Sequence, residues 1–517
     1  MKPWIFLLLL FSPLFGETNW TAAEILLQGR EMRERPEVAV NQAGTVLLAW
    51  CEPDKNCITS ATYHFIQDKW SDPAPITFNT GTPSALSLII QDSGEGFAAW
   101  VEGEKNHLHV AKFDSKLASW TEVYTITQDV DTHFPMVLSG DQKGNAMILW
   151  KRWNGFESTI QASYFSGAEE AWSQPVDLSK IGFDCEHPQF AFDEQGNGLA
   201  VWSATLSQDK GKEKAHQTIE GAYFRKNENA WNPTASLSEL WKNFAFQDPS
   251  IAFDEENNAL VVWKRQNLSS SESTVQAMRY LSKENKWTNA KDLSREHAAY
   301  HVRLSKGGRY CFVVWCQTDD ERQCKSLVGR IYDSQEKVWE EITPLVADVE
   351  EVSFLHLTTD GKGNATLAYN RRGVLEICQF EKEEWLPPTP IMEIKHEEGV
   401  AMGGDSLGNT LLAWGSEGTL FYSVGDFLLP PKKLMGQKIY NSFPAKTIIQ
   451  GKLHWEKTTS PGAVGYIIRR DGKIIAQLPT SYTEFMDYKC PKGRAVYSVT
   501  TLNENNLESY PSRATIR

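Results

Sequence analysis

The chain of 517 residues holds only eight cysteines, and past its first eleven residues no apolar run is long enough to cross a bilayer. That second absence excludes a helical membrane span from the body of the protein. Basic residues are also in deficit: 52 Lys and Arg stand against 66 Asp and Glu, a formal net charge of −14. A body so rich in carboxylates repels phosphate backbones and is a poor partner for nucleic acid. Short motifs that carry common chemistries are missing as well. There is no Gly-rich phosphate loop, no Ser/His nucleophile motif and no metal-protease helix. Nothing calls for a cofactor or a resident metal. His107 and His109 share a strand face, but with no third ligand in view they read as a surface pair.

The N-terminus does carry a signal. Met1 to Phe11 has one basic residue and a short apolar core, Pro13 then breaks the helix, and small Gly16 precedes polar Glu17. This pattern predicts a cleaved secretory peptide over 1–16 and a secreted, periplasmic or cell-surface protein with no membrane span after cleavage. The cysteines fit an oxidising destination. Cys51 follows Trp50 directly with Cys57 six residues on, and Cys316 follows Trp315 directly with Cys324 eight on. Each pair is expected to staple one hairpin, provided the Cβ atoms come to about 4 Å. Cys185, Cys311, Cys378 and Cys490 have no evident partner.

The dominant feature is a repeat of about fifty residues, an apolar strand, a tight turn, then a second apolar strand ending on an aromatic. Eight copies close on Trp50, Trp100, Trp150, Trp202, Trp263, Trp315, Tyr369 and Trp414. A third strand follows, such as Thr159 to Phe165, and then a segment opened by a second tryptophan: Trp70, Trp120, Trp172, Trp231, Trp287, Trp339 or Trp385. Four short strands per unit is the pattern of a propeller blade. Residues 17–429 therefore resemble a β-propeller, and the resemblance implies an all-β, eight-bladed ring of four-stranded antiparallel blades, with seven blades as the alternative. The unit ending at Trp414 lacks its fourth segment, and Asn19-Trp20 onward matches the missing piece. The N-terminal strand is thus expected to complete the last blade, since an open stack would leave unpaired edges.

The turns Asp141-Gln-Lys-Gly-Asn, Asp193-Glu-Gln-Gly-Asn, Asp360-Gly-Lys-Gly-Asn and Asp405-Ser-Leu-Gly-Asn place Gly where positive φ is needed, and Asn257 takes that place after Asp254. One carboxylate per loop is too few for calcium, so the Asp is read as bonding the turn's own amides. The repeated tryptophans are read as packing between blades.

After Pro431 the grammar changes. Trp455, Tyr466 and Tyr497 fall on strand patterns that resemble a fibronectin type III domain over 430–517, which implies a β-sandwich with a tyrosine corner at Tyr497. This segment is basic, 14 Lys and Arg against 6 Asp and Glu from Lys432 onward, leaving 38 basic against 60 acidic residues in the rest.

Strand polarity puts the loops after each closing Trp and those before each opening strand on one face. That face gathers Arg35, His133, His187, Asp248, His301 and Glu398 with Glu52, Glu102, Lys151, Arg152, Lys264, Arg265, Arg371 and Arg372. Of these, Arg35, His187, Asp248, His301, Glu398, Arg152, Arg265 and Arg371 are the candidate binding residues. The expected function is a non-enzymatic interaction protein, monomeric, gripping a protein or carbohydrate ligand, with the fibronectin-like domain as spacer or second contact. The alternative is a glycan-acting enzyme, sialidase-like or another glycoside hydrolase, with Asp248, Glu398 or Glu186 as carboxylates at the channel mouth. The Arg-Ile-Pro of sialidases and the vicinal cysteines of quinone-dependent dehydrogenases do not occur.

Overall fold

A computed structural model describes residues 20–516 apart from short stretches and single positions, the longest being 30–34, 78–81, 132–135, 319–323, 395–398 and 504–507. The signal-peptide segment and Cys324's side chain lie outside the described residues, as do His133 and Glu398. No described helix is long and apolar enough to cross a membrane.

The chain is an all-β protein built from propeller-like sheets of four antiparallel strands. Eight such sheets occur among the described residues, numbered here by their innermost strands Glu37–Val40, Ser84–Ile90, Val137–Gly140, Phe183–Phe192, Phe244–Phe253, Ala299–Gly307, Leu355–Thr359 and Val400–Gly404. Successive innermost strands are neighbours in chain order, and the eighth touches the first. The array therefore closes on itself. The outermost strand of the eighth sheet is Glu24–Gln28 from the N-terminus, paired with Thr419–Gly425, and Trp20 bridges Gly425. Thr21 adds backbone and side-chain hydrogen bonds to Val424 at 2.9 and 3.0 Å.

The repeat's grammar maps onto its packing. Trp50, Trp100, Trp150, Trp202, Trp263, Trp315, Trp414 and Tyr369 are all fully buried between sheets. Removing such a ring from a core costs about 3–5 kcal/mol. Some indoles find a fixed acceptor on the third strand: Trp150 Nε1 donates to Gln161 and Trp263 Nε1 to Gln276, both at 3.1 Å. The second tryptophan of each unit packs on an aromatic of the third strand, as in Tyr63–Trp70, Phe224–Trp231 and Tyr332–Trp339, with ring centroids 5.1 to 5.2 Å apart.

The turn carboxylates act as expected. Asp193 Oδ1 accepts the amides of Gln195 and Asn197 at 2.8 Å, and its Oδ2 accepts Asn197 Nδ2 at 3.1 Å. Asp141, Asp254, Asp360 and Asp405 repeat this scheme. Gly196 and Asn257 take the left-handed conformation, at φ 87° and 63°.

The Cys51–Cys57 staple is not formed; both are thiols. The register explains why. Cys51 lies opposite Ile58, and Cys57 lies opposite Glu52. Residues directly opposite share a face and successive residues alternate, so the two sulfurs point to opposite faces of the sheet. Cys51 packs into the core with Ile58 instead. Cys316 is disulfide-bonded.

Residues from Lys432 onward form a three-stranded sheet and a four-stranded sheet around one core that includes Trp455, Tyr466, Tyr497 and Ile516. Tyr497 is fully buried, but its hydroxyl donates to the Asp487 carboxylate at 2.7 Å rather than to a backbone carbonyl. This departs from the tyrosine corner. The domain touches the ring at Tyr510, which is buried and donates to Asp405 Oδ2 at 2.6 Å.

Candidate functional site

Four innermost strands share one distortion. Two residues of the inner strand face a single residue of the next strand, and that residue is the repeated tryptophan: Trp100, Trp202, Trp263 or Trp315. The first residue of each bulge is left-handed: Ala85 at φ 53°, His187 at 54°, Asp248 at 52° and His301 at 51°. For side chains other than Gly this conformation costs roughly 1–3 kcal/mol and persists only where its surroundings impose it. Bulges of this kind re-aim a side chain. Ala85, and Gly399 at φ 81° just before the eighth inner strand, adopt the same backbone without a reactive group. The bulge is therefore architectural, while the residue placed on it differs from sheet to sheet.

Around Asp248 and His301 stands a group of cations. Lys264 follows Trp263, is only 7% exposed, and sets its ammonium 5.6 Å from the ring centroid of Tyr300. Burial lowers its pKa, and Asp248 opposes that shift. Arg303 donates from Nε to Leu355 O and from Nη1 to Val302 O, each at 3.0 Å. It is open to water yet surrounded by protein, as a residue lining a channel must be. Burial lowers its pKa, Asp248 raises it, and Arg35 lowers it further. Burial and then Arg303 hold His301 below the ordinary histidine range, with Asp248 acting against them. Burial, Arg35 and Arg303 together bring His356 down to about 3. Arg35, Asp248, Lys264, His301, Arg303 and His356 thus share one electrostatic field, in which Asp248 faces the cations, Glu37 pairs with Arg35 at 2.9 Å, and both imidazoles are neutral at pH 7.

Of the expected site residues, Arg35, Asp248 and His301 belong to this cluster. His187 sits on an equivalent bulge, with Nδ1 3.5 Å from Ser203 Oγ. The three arginines after the closing aromatics do not join it. Arg265 lies over Phe244 at 5.3 Å and 3.6 Å from Asp292 on an outer strand. Arg371 pairs with Glu376 at 2.7 Å on the adjacent strand. Arg152 buries an Nε that meets no hydrogen-bond acceptor. These three stand two residues after the aromatic, whereas Lys264 stands one after it; alternation sends the two sets to opposite faces. Sequence reading missed Arg303 and His356. Their signal was a polar residue at every second place of an inner strand, His301-Val-Arg303, and a lone polar residue in Leu355-His-Leu357.

The hydrolytic reading needs a second carboxylate. Glu186 is engaged by Lys151 at 3.4 Å, and Glu398 lies outside the described residues. His109 stacks on Trp100 at 5.7 Å, and its Nε2 lies 3.5 Å from Glu102; among the described residues no three His, Cys, Asp or Glu side chains gather as a metal site would require.

No protein-family model matches the chain, and no curated protein matches it. Solved structures do. The chain is similar to a polysaccharide lyase of family PL25, an ulvan lyase, at 12% identity and TM-score 0.45, covering 67% of this chain and 94% of that one. It is similar to the Dos1 propeller at 9% identity and TM-score 0.45, covering 78% and 95%. It is also similar to the Hadza microbial sialidase Hz136 at 10% identity and TM-score 0.41, covering 63% and 74%. At these identities the likeness is one of architecture alone.

Proposed function

We propose that residues 17–429 form an eight-bladed β-propeller, that residues 430–517 form a fibronectin type III domain, and that the protein is a secreted or cell-surface interaction protein. Its ligand, a protein or a glycan, docks on the face where the inner strands begin. The eight sheets and their mutual closure support the blade count. The sheet orders of the C-terminal domain, with its first, second and fifth strands in one sheet and the other four in the second, support the fibronectin reading.

The observation that carries the function is what two of the bulges hold: Asp248 and His301 beside Lys264 and Arg303. Asp248 and His301 occupy backbone positions that disfavour a side chain, and both point into a field of cations that packing alone does not require. Binding sites in propellers cluster at such a mouth. The test is a glycan and protein binding screen of the mature chain, repeated with Asp248→Asn plus His301→Gln. Loss of the captured ligand with an unchanged unfolding transition supports the reading. Undiminished capture by the double variant would place the ligand elsewhere.

A further inference from the structure

The repeat supplies its own control for the cations at the mouth. Lys151 and Lys264 hold the same place, one residue after the closing tryptophan of the third and fifth sheets. Lys151 is neutralised by Asp131 at 3.2 Å and Glu186 at 3.4 Å. Glu186 precedes the bulge residue of the next sheet; the equivalent residue beside Lys264 is Tyr300, which offers a ring face and no charge. Lys264 therefore stands buried without an ion pair among the described residues. A buried ammonium without an ion pair is costly, and an anionic ligand would supply the missing charge.

Arg303 points the same way. Two of its nitrogens are anchored on backbone carbonyls of the sixth and seventh inner strands, which fixes the guanidinium plane. Nη2 donates to none of the described residues, and the side chain is exposed. A guanidinium held so is pre-set to receive an oxyanion. Arg35 is neutralised by Glu37 at 2.9 Å, so the free positive charge of the field rests on Lys264 and Arg303, with Asp248 as their shared counter-charge. The rest of residues 1–431 carries a large acidic excess, so this cluster is a local positive island in a repelling body and favours an anion that reaches the channel over polyanions in general.

On the same face, tied to Gly182 and Asp184 of the next sheet, the hairpin of the third sheet presents Trp153, 41% exposed, and Phe156, 73% exposed. Glu157, next to Phe156, fixes this hairpin by accepting Gly182 N at 3.2 Å and Ser207 Oγ at 2.7 Å. Aromatic ring faces carry negative potential and attract the polarised C–H edges of sugar rings. Resting on the loop-face reading, we infer that the ligand is an acidic saccharide whose carboxylate or sulfate is taken by Lys264 and Arg303, while its sugar rings lie along Trp153 and Phe156.

The experiment is calorimetric titration of the full mature chain at low and moderate salt. Probes are oligogalacturonate for a carboxylated glycan, dextran sulfate for a sulfated one, neutral dextran, and poly-glutamate. One or both acidic glycans are expected to bind with salt-sensitive affinity, and which one binds separates carboxylate from sulfate recognition. Lys264→Met and Arg303→Met should each weaken binding by roughly tenfold or more, since the first removes a desolvated charge and the second a guanidinium held in place by two backbone carbonyls. Lys264→Met keeps the apolar stem against Tyr300, so folding is preserved. Lys452→Met, which removes a cation of the C-terminal domain paired with Glu484 at 2.8 Å, should leave binding unchanged. Preference for poly-glutamate over both acidic glycans would replace the saccharide with an acidic peptide and overturn the inference. Binding of neutral dextran that Lys264→Met does not affect, or no binding of either acidic glycan at millimolar concentration, would also overturn it. If an unrelated ligand is captured and lost in the Asp248→Asn, His301→Gln variant, the loop-face function stands while the anion inference falls.

Discussion

Gly425 offers a clean test of the closure. A Cβ built on it would fall 2.2 Å from Cε2 of Trp20, and its two next nearest atoms also belong to that indole. Gly425 does not have a left-handed backbone. Gly425→Ala therefore adds no φ strain, and its whole cost is the collision with Trp20. Overpacking a well-filled site costs about 1–3 kcal/mol. An upper bound also exists, because the N-terminal segment can detach: the penalty cannot exceed the value of docking Trp20, which is 8% exposed among Leu375, Ile377, Leu412 and Trp414. Truncating a ring buried so deeply costs ~3–5 kcal/mol. The assay is urea unfolding of four proteins: the parent, Gly425→Ala, Trp20→Ala and the double variant. Gly425→Ala should lower the midpoint in the parent and change it by less than ~0.5 kcal/mol once Trp20 is alanine. An equal loss in both backgrounds would mean that Trp20 does not occupy that site, and the seam would have to be closed in some other way.

Tyr510→Phe removes one hydrogen bond from the buried Asp405 carboxylate and should cost about 1–3 kcal/mol in the same unfolding assay; an unchanged midpoint would mean that the C-terminal domain does not dock there. His356 has a folded pKa near 3 against 6.5 in the unfolded chain. Above pH 6.5 both states hold it neutral; below, only the unfolded state gains the proton, so stability drops by up to ~1.4 kcal/mol per unit down to about pH 3. His356→Gln should flatten the stability profile between pH 7 and 4, and a profile identical to the parent's would refute the burial of this imidazole. Cys51 and Cys57 should each take one alkylating group when the protein is denatured without reductant, as read by peptide mass; a linked 51–57 peptide would contradict the register of that hairpin.

Most of the fold was legible because the repeat is redundant. Five units restate the turn Asp followed by Gly or Asn, seven close on Trp, and each restatement maps to the same hydrogen bonds or the same buried ring. The seam was legible for the same reason: a unit lacked its last strand, and the chain's start supplied it. Side-chain direction was far less legible. Trp263, Lys264 and Arg265 are consecutive, and which of the two cations meets the channel depends on a bulge that slips the neighbouring strand by one residue. Nothing local in Gln247-Asp248-Pro249 announces that bulge. The same sensitivity undid the Cys51–Cys57 pairing, where a spacing of six residues put the sulfurs one register step apart. Arg303 and His356 escaped notice because they lie within strands, and a strand residue faces a channel only once eight sheets have been wrapped around it.

The C-terminal domain has a place in that wrapping. The second oxygen of four of the turn carboxylates takes a donor from beyond its own turn. Asp141 finds Lys226 at 2.9 Å, Asp193 finds Tyr223 at 3.4 Å and Asp254 finds Arg279 at 2.8 Å, all from within the ring. In the eighth sheet the donor is Tyr510, which comes from outside the ring. Its ring lies so close above Gly44 of the first sheet that a Cβ there would meet it at 2.6 Å, and it packs among core residues of both the first and eighth sheets. Those are the two sheets on either side of the joint between the ring's end and its beginning. Beside Tyr510, Ser406 N donates to Gln42 Oε1 at 3.0 Å across the same joint. The N-terminal strand ties the eighth sheet together from its outer edge, and Tyr510 ties it to the first from the turn side. A domain that was only a spacer would have no reason to complete the hydrogen bonding of a turn 105 residues away in the chain. Its docking at the seam holds shut the ring on whose opposite face the cations converge.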